Sequence, residues 1–101
     1  MMLTAQEIIK KIIDNKNEIK KFGVKKIGLF GSYIRNEQKE TSDIDFLIEF
    51  EKGKKTFDNY MGLKLFLENL FNCKVDLVIK ESIKEEIKPY ILRSVKYAEA
   101  I

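Results

Sequence analysis

Gly28-Leu29-Phe30-Gly31-Ser32, then ten residues, then Asp43-Ile44-Asp45 is the stretch whose reading decides this chain. The apolar residues Ile27, Leu29 and Phe30 lead into Gly31-Ser32, and a second apolar run, Ile44 to Phe50, follows two aspartates. In a strand, successive side chains alternate between the two faces. Asp43 and Asp45 then share one face, and Ile44, Phe46, Ile48 and Phe50 share the other. Like charges so placed cost free energy unless a cation lies between them, and ligands that are all oxygen favour magnesium or a similarly hard ion. The pattern is a metal site in outline.

On the N-terminal side, Thr4-Ala5-Gln6-Glu7 has the spacing of a capping box. Ile8, Ile9, Ile12, Ile13, Ile19 and Phe22 then recur at helical intervals as far as Gly23, a C-cap candidate. One amphipathic helix of about five turns is expected there. Lys25 to Phe30 reads as a strand, Gly31-Ser32 as a turn, Tyr33 to Asn36 as a short helix starting at that turn, and Glu37 to Ser42 as polar loop. Asp43 to Phe50 is the second strand, and Glu51 to Lys55 a charged turn around Gly53. Phe57 to Phe71 carries Leu, Phe and Met at helical spacing, which predicts a second long helix. Leu63, Leu65, Phe66 and Leu67 cover more than one face of it. Lys74 to Ile79 is a third strand with Asp76 inside it, and Cys73 just before it is expected to be small and partly buried. Ser82 is placed to cap a last helical stretch, in which Pro89 marks a break or a fresh first turn before Tyr90 to Ala98.

For Gly31-Ser32 at the end of the first strand to lie beside Asp43 at the start of the second, those strands must pair antiparallel. The third strand follows a long crossover helix, so it is expected to run parallel to the second. Its beginning, with Asp76, then falls on the same edge as Asp43 and Asp45. The expected fold is α/β (α+β), a small mixed sheet flanked by helices, with three carboxylates and the Gly-Ser turn in one cleft.

The 101 residues make one domain, 1–101, with no internal repeat or linker, and a chain of this size buries roughly 65% of its unfolded surface. An apolar share of 45% and a charged share of 35%, with no apolar run long enough for a bilayer, are those of a soluble protein. Met1 to Ile9 lacks the layout of a secretory signal, so a cytoplasmic location is expected. The absence of histidine and the single cysteine exclude an internal disulfide, the usual zinc ligands and histidine-assisted hydrolysis. The net charge of +3 is concentrated between Lys10 and Lys26, where a solvated helix face is favoured over a dedicated anion-binding patch.

The remaining residues can do specific chemistry. Outward-pointing N–H groups of a turn at a helix start suit a phosphate, glycine lets it approach, and the Ser32 hydroxyl adds a donor. Three carboxylates can hold two magnesium ions about 4 Å apart, which neutralise a nucleoside triphosphate and align attacking and leaving oxygens. The reaction implied is nucleotidyl transfer with release of pyrophosphate. Taken singly, Asp43 and Asp45 could be solubility charges and Asp76 an edge-strand gatekeeper. The fixed interval to Gly31-Ser32 argues for a joint role.

Gly31-Ser32, ten residues, Asp43-Ile44-Asp45, with Asp76 one strand later, resembles the motif of the DNA polymerase beta-like nucleotidyltransferase superfamily. Leu29 to Arg35, Ser42 to Ile48 and the end Lys88-Pro89-Tyr90-Ile91-Leu92 are similar to its minimal nucleotidyltransferase (MNT) branch. The resemblance implies that Asp43 and Asp45 bind both metals. Asp76 is implied to bind one metal and to help activate the attacking hydroxyl. Arg35 is implied to lie near the loop and touch nucleotide phosphates. It further implies a magnesium-dependent enzyme that moves AMP from ATP to a tyrosine of a HEPN-domain ribonuclease, as the antitoxin of that toxin. The alternatives are a binding module that neutralises the toxin by occlusion, and transfer to a small molecule. The latter is disfavoured, like direct nucleic-acid binding, because no second domain is seen to hold such an acceptor.

Overall fold

The Thr4 side chain accepts from the Glu7 N–H at 3.2 Å while the Glu7 carboxylate accepts from the Thr4 N–H at 3.0 Å, so the capping box forms and starts the first helix. The computed structural model describes residues 3–39, 42–99 and 101. The readings that run through Met1 and Met2 and through Glu40 and Thr41 lie at those positions outside the described residues. In chain order the elements are α1 Ala5–Asp14, α2 Lys16–Lys20, β1 Val24–Phe30, β2 Ile44–Phe50, α3 Phe57–Phe71, β3 Val75–Ile79, α4 Lys88–Ser94 and β4 Lys96–Tyr97, with 3-10 turns at Gly31–Tyr33 and Lys80–Ser82.

The strand order is β3-β2-β1-β4. β1 pairs antiparallel with β2, and β2 pairs parallel with β3, as the motif placement requires. The sheet is mixed, and helices flank it. Side chains of α1 (Ile8, Ile12), α2 (Ile19) and α3 (Leu63, Leu67, Phe71) join Ile44, Phe46, Ile48 and Phe50 of β2 in one buried cluster. That cluster puts these helices against one face of the sheet and leaves Asp45 on the other. Burying each such side chain contributes about 1.5–3 kcal/mol.

Three expectations need correction. The first helix is not continuous to Gly23. Asn15 breaks it at φ −109° and ψ 20°, its side-chain amide donating to the Lys11 carbonyl at 2.8 Å. Asparagine competes with the helical ladder in this way. The short helix placed at Tyr33 to Asn36 is instead a 3-10 turn over Gly31–Tyr33, and Asn36 is already left-handed at φ 57°. The last stretch is not one helix from Ser82 to Ala98. Ser82 lies in a 3-10 turn, α4 starts around Pro89, and Lys96–Tyr97 pair with β1 as a fourth strand. Gly28 of β1 makes that approach possible, because a Cβ there would stand 2.6 Å from Val95 Cγ2.

Candidate active site

β1 and β2 bring the two halves of the motif together. Phe30, the last residue of β1, is the register partner of Asp45, so Gly31 begins its turn directly beside that carboxylate. Gly31 has φ +81°, and a Cβ built on it would overlap Asp45 Oδ2. Both the backbone conformation and the lack of space demand glycine here. The Gly31 carbonyl accepts from the N–H groups of Ile34 and Arg35, each at 3.1 Å, and the Glu37 N–H donates to the Ser32 carbonyl at 2.9 Å. These bonds fold residues 31–37 into a tight loop anchored by buried Tyr33. Burial pushes the Tyr33 hydroxyl above its ordinary pKa, with Cys73 nearby as a second cause.

The third aspartate arrives through β3. Asp45 and Asp76 are register partners on parallel strands, so their side chains leave the sheet on one face. Asp43 sits one residue ahead of β2, where the Ile44 N–H donates to the Lys74 carbonyl at 3.1 Å. Burial, first, and then the charges of Asp76 and Asp43 push the Asp45 carboxyl up to about 6, against the opposing pull of Arg35. A hydrogen bond with Asp76 further favours the protonated form. Two carboxyls thus share a site that a divalent cation would relieve.

β3 is an edge strand, and α3 holds it in place. Tyr60 Oη donates to the Leu77 carbonyl at 3.1 Å, Lys64 Nζ donates to the Val75 carbonyl at 2.6 Å, and the Val75 N–H donates to Glu68 Oε2 at 3.1 Å. Asp76, exposed between those two residues, is therefore held from both sides.

The sequence-predicted residues Gly31, Ser32, Asp43, Asp45 and Asp76 are brought to one end of the sheet. Among the described residues no three acidic or cysteine side chains converge on one point. The closest approach is the Asp45–Asp76 pair, with Asp43 acting on it through its charge. As a donor set of oxygens only, these residues suit magnesium. Arg35 is close enough for its charge to act on Asp45, but its Nε donates to Glu37 Oε1 at 2.6 Å. Tyr60 is occupied at the strand edge, and Tyr90 is exposed on α4, away from any hydrogen bond to the carboxylates. Tyr60, read from the sequence as a packing residue before a base-stacking candidate, does hold the strand, while sequence reasoning passed over Glu37, Lys64 and Glu68. The spacing of four through Tyr60, Lys64 and Glu68 on α3 was the available signal for a row facing one strand. A cavity of about 580 Å³ opens between Phe57 and Tyr60 of α3 and Leu77 and Ile79 of β3, and none of the three aspartates lines it.

The profile of the nucleotidyltransferase domain family matches residues 7–98. The protein adenylyltransferase MntA of Thermococcus cleftensis is 43% identical over 97 residues, which cover 95% of this chain and 97% of that protein. A solved structure described as a candidate minimal nucleotidyltransferase superimposes with a TM-score of 0.80 at 28% identity, covering 93% of this chain and 95% of the other. A chain of a toxin–antitoxin complex with AMP-PNP superimposes with a TM-score of 0.68 at 25% identity, covering 98% of this chain and 75% of that one.

Proposed function

Because this chain belongs to the nucleotidyltransferase domain family, we propose that it moves AMP from ATP to a protein hydroxyl, a tyrosine of a HEPN-domain ribonuclease toxin, and so acts as the antitoxin. The observation that carries the reading is the in-register pair Asp45 and Asp76, set against Gly31 at the end of the neighbouring strand. The protein adenylyltransferase relative and the toxin–antitoxin neighbour support the acceptor class and the partner.

Each residue has a role in this reading. N–H groups of the Gly31-Ser32 turn and the Ser32 hydroxyl donate to the triphosphate. Arg35 adds charge on the same side. Asp43, Asp45 and Asp76 would hold magnesium, which would supply charge neutralisation and in-line alignment of the attacking and leaving oxygens. Asp76, at the exposed edge, is the carboxylate best placed to take the proton from the entering hydroxyl. The tyrosine oxygen bonds to the α-phosphorus of ATP, the bond from that phosphorus to the bridging oxygen breaks, and pyrophosphate leaves.

The test is the intact mass of the cognate HEPN-domain toxin after incubation with this protein, ATP and magnesium. A gain in AMP units that disappears with Asp43→Asn supports the reading. An unchanged toxin mass in a stable, inhibited complex replaces it with neutralisation by occlusion.

A further inference from the structure

Arg35 and Glu37 lie two residues apart in the loop that follows β1, and the loop is built so that they meet. Left-handed Asn36, at φ 57°, reverses the chain between them. The Glu37 N–H is tied to the Ser32 carbonyl at 2.9 Å, so Glu37 is anchored to the proposed phosphate turn itself. Its carboxylate then receives Arg35 Nε at 2.6 Å. The side chains are 59% and 63% exposed, and an ion pair at that exposure adds little to stability. Its consequence is positional.

We infer that Glu37 is a positioning residue for the nucleotide: it fixes the Arg35 guanidinium beside the Gly31-Ser32 turn before the triphosphate arrives. This rests on the proposed nucleotidyl transfer. A guanidinium has five N–H donors, and the bond through Nε uses one, leaving both Nη groups for phosphate oxygens. An unrestrained arginine loses rotamer freedom when it engages a ligand, and pre-ordering it reduces that cost. Glu37 therefore acts on affinity for the triphosphate more than on the chemical step.

The experiment titrates AMP-PNP with magnesium into the wild type, Glu37→Ala, Glu37→Asp, Arg35→Ala and the double variant Arg35→Ala/Glu37→Ala. In parallel, nitrogen-15 NMR follows the Arg35 Nε–H signal without nucleotide. Glu37→Ala is expected to weaken binding about two- to five-fold, the range an exposed ion pair can supply, to shift the Arg35 signal, and to add nothing once Arg35 is alanine. Glu37→Asp is expected to recover part of the affinity. An Arg35 signal or an affinity unmoved by Glu37→Ala, tighter binding in that variant, or independent losses at the two positions would each overturn the inference alone. Absence of nucleotide binding by the wild type would overturn the proposed function, and the inference with it.

Discussion

Asp45 and Asp76 face each other across β2 and β3 as register partners, and burial together with the repulsion of Asp76 raises Asp45 to about 6. The pair is held by structure on both sides. Gly31 packs against Asp45, and α3 side chains bond the backbone of Val75 and Leu77 around Asp76. The protein thus keeps two carboxyls together at a cost in free energy, one that a bound cation would offset.

Asp45→Asn and Asp76→Asn are expected to lower AMP transfer at least about 100-fold while the fold persists, since each removes charge and not core. Transfer measured by toxin mass, beside far-ultraviolet circular dichroism, checks this. Retained transfer in either variant contradicts the metal-ligand assignment.

Stability should depend on pH through Asp45. Its carboxyl titrates near 3.8 in the ordinary state and at about 6 in the fold, so between these values the folded chain binds more protons than the unfolded one. Raising the pH through this window therefore removes stability. Asp45→Asn is expected to raise the melting temperature at about pH 8, with the gain fading as the pH falls towards about 4. An equal gain at both values would show that the carboxyl is not raised.

Gly31→Ala combines a left-handed backbone with overlap of the new Cβ on Asp45. The backbone alone costs about 1–2 kcal/mol. Chemical denaturation is expected to show a loss of at least that size. Transfer is expected to fall further than stability, because Asp45 must move.

Lys64→Met removes the ammonium that caps the Val75 carbonyl and keeps most of the aliphatic stem. A loss of about 1 kcal/mol is expected, with faster hydrogen exchange along β3. Unchanged exchange at Val75 to Leu77 would mean that β3 is held by its pairing with β2 alone.

Magnesium is expected to raise the melting temperature of the wild type and to leave Asp45→Asn unmoved, since it offsets a repulsion that the variant lacks. Thermal melts with magnesium and with chelator separate the two. Equal shifts in both proteins would place the ion elsewhere.

Much of this was legible in the residues themselves. The alternation over Ile44–Phe50 is a local property of the strand, so the facing of Asp45 could be read without a fold. The run Phe57–Phe71 is helical by its own periodicity, and the crossover it makes dictates parallel pairing of β2 and β3. Local signals were ambiguous where one residue had two options. Asn15 fits a helix by composition, yet its amide takes the Lys11 carbonyl and ends the turn. Lys96–Tyr97 are too short a strand to announce themselves, and they exist because Gly28 admits Val95 and Tyr97 alongside β1.

What the sequence by itself determined is the inventory and the spacing: oxygen ligands without histidine, a Gly-Ser turn, and the interval that lets two strands bring them together. Only the tertiary structure decided how close they come. The register of β2 on β3 sets Asp45 opposite Asp76, the Gly31 turn closes on that pair, and Glu37 reaches Arg35. These are contacts across strands and around a left-handed turn, whose energies depend on distance and burial, and neither quantity exists until the chain has folded.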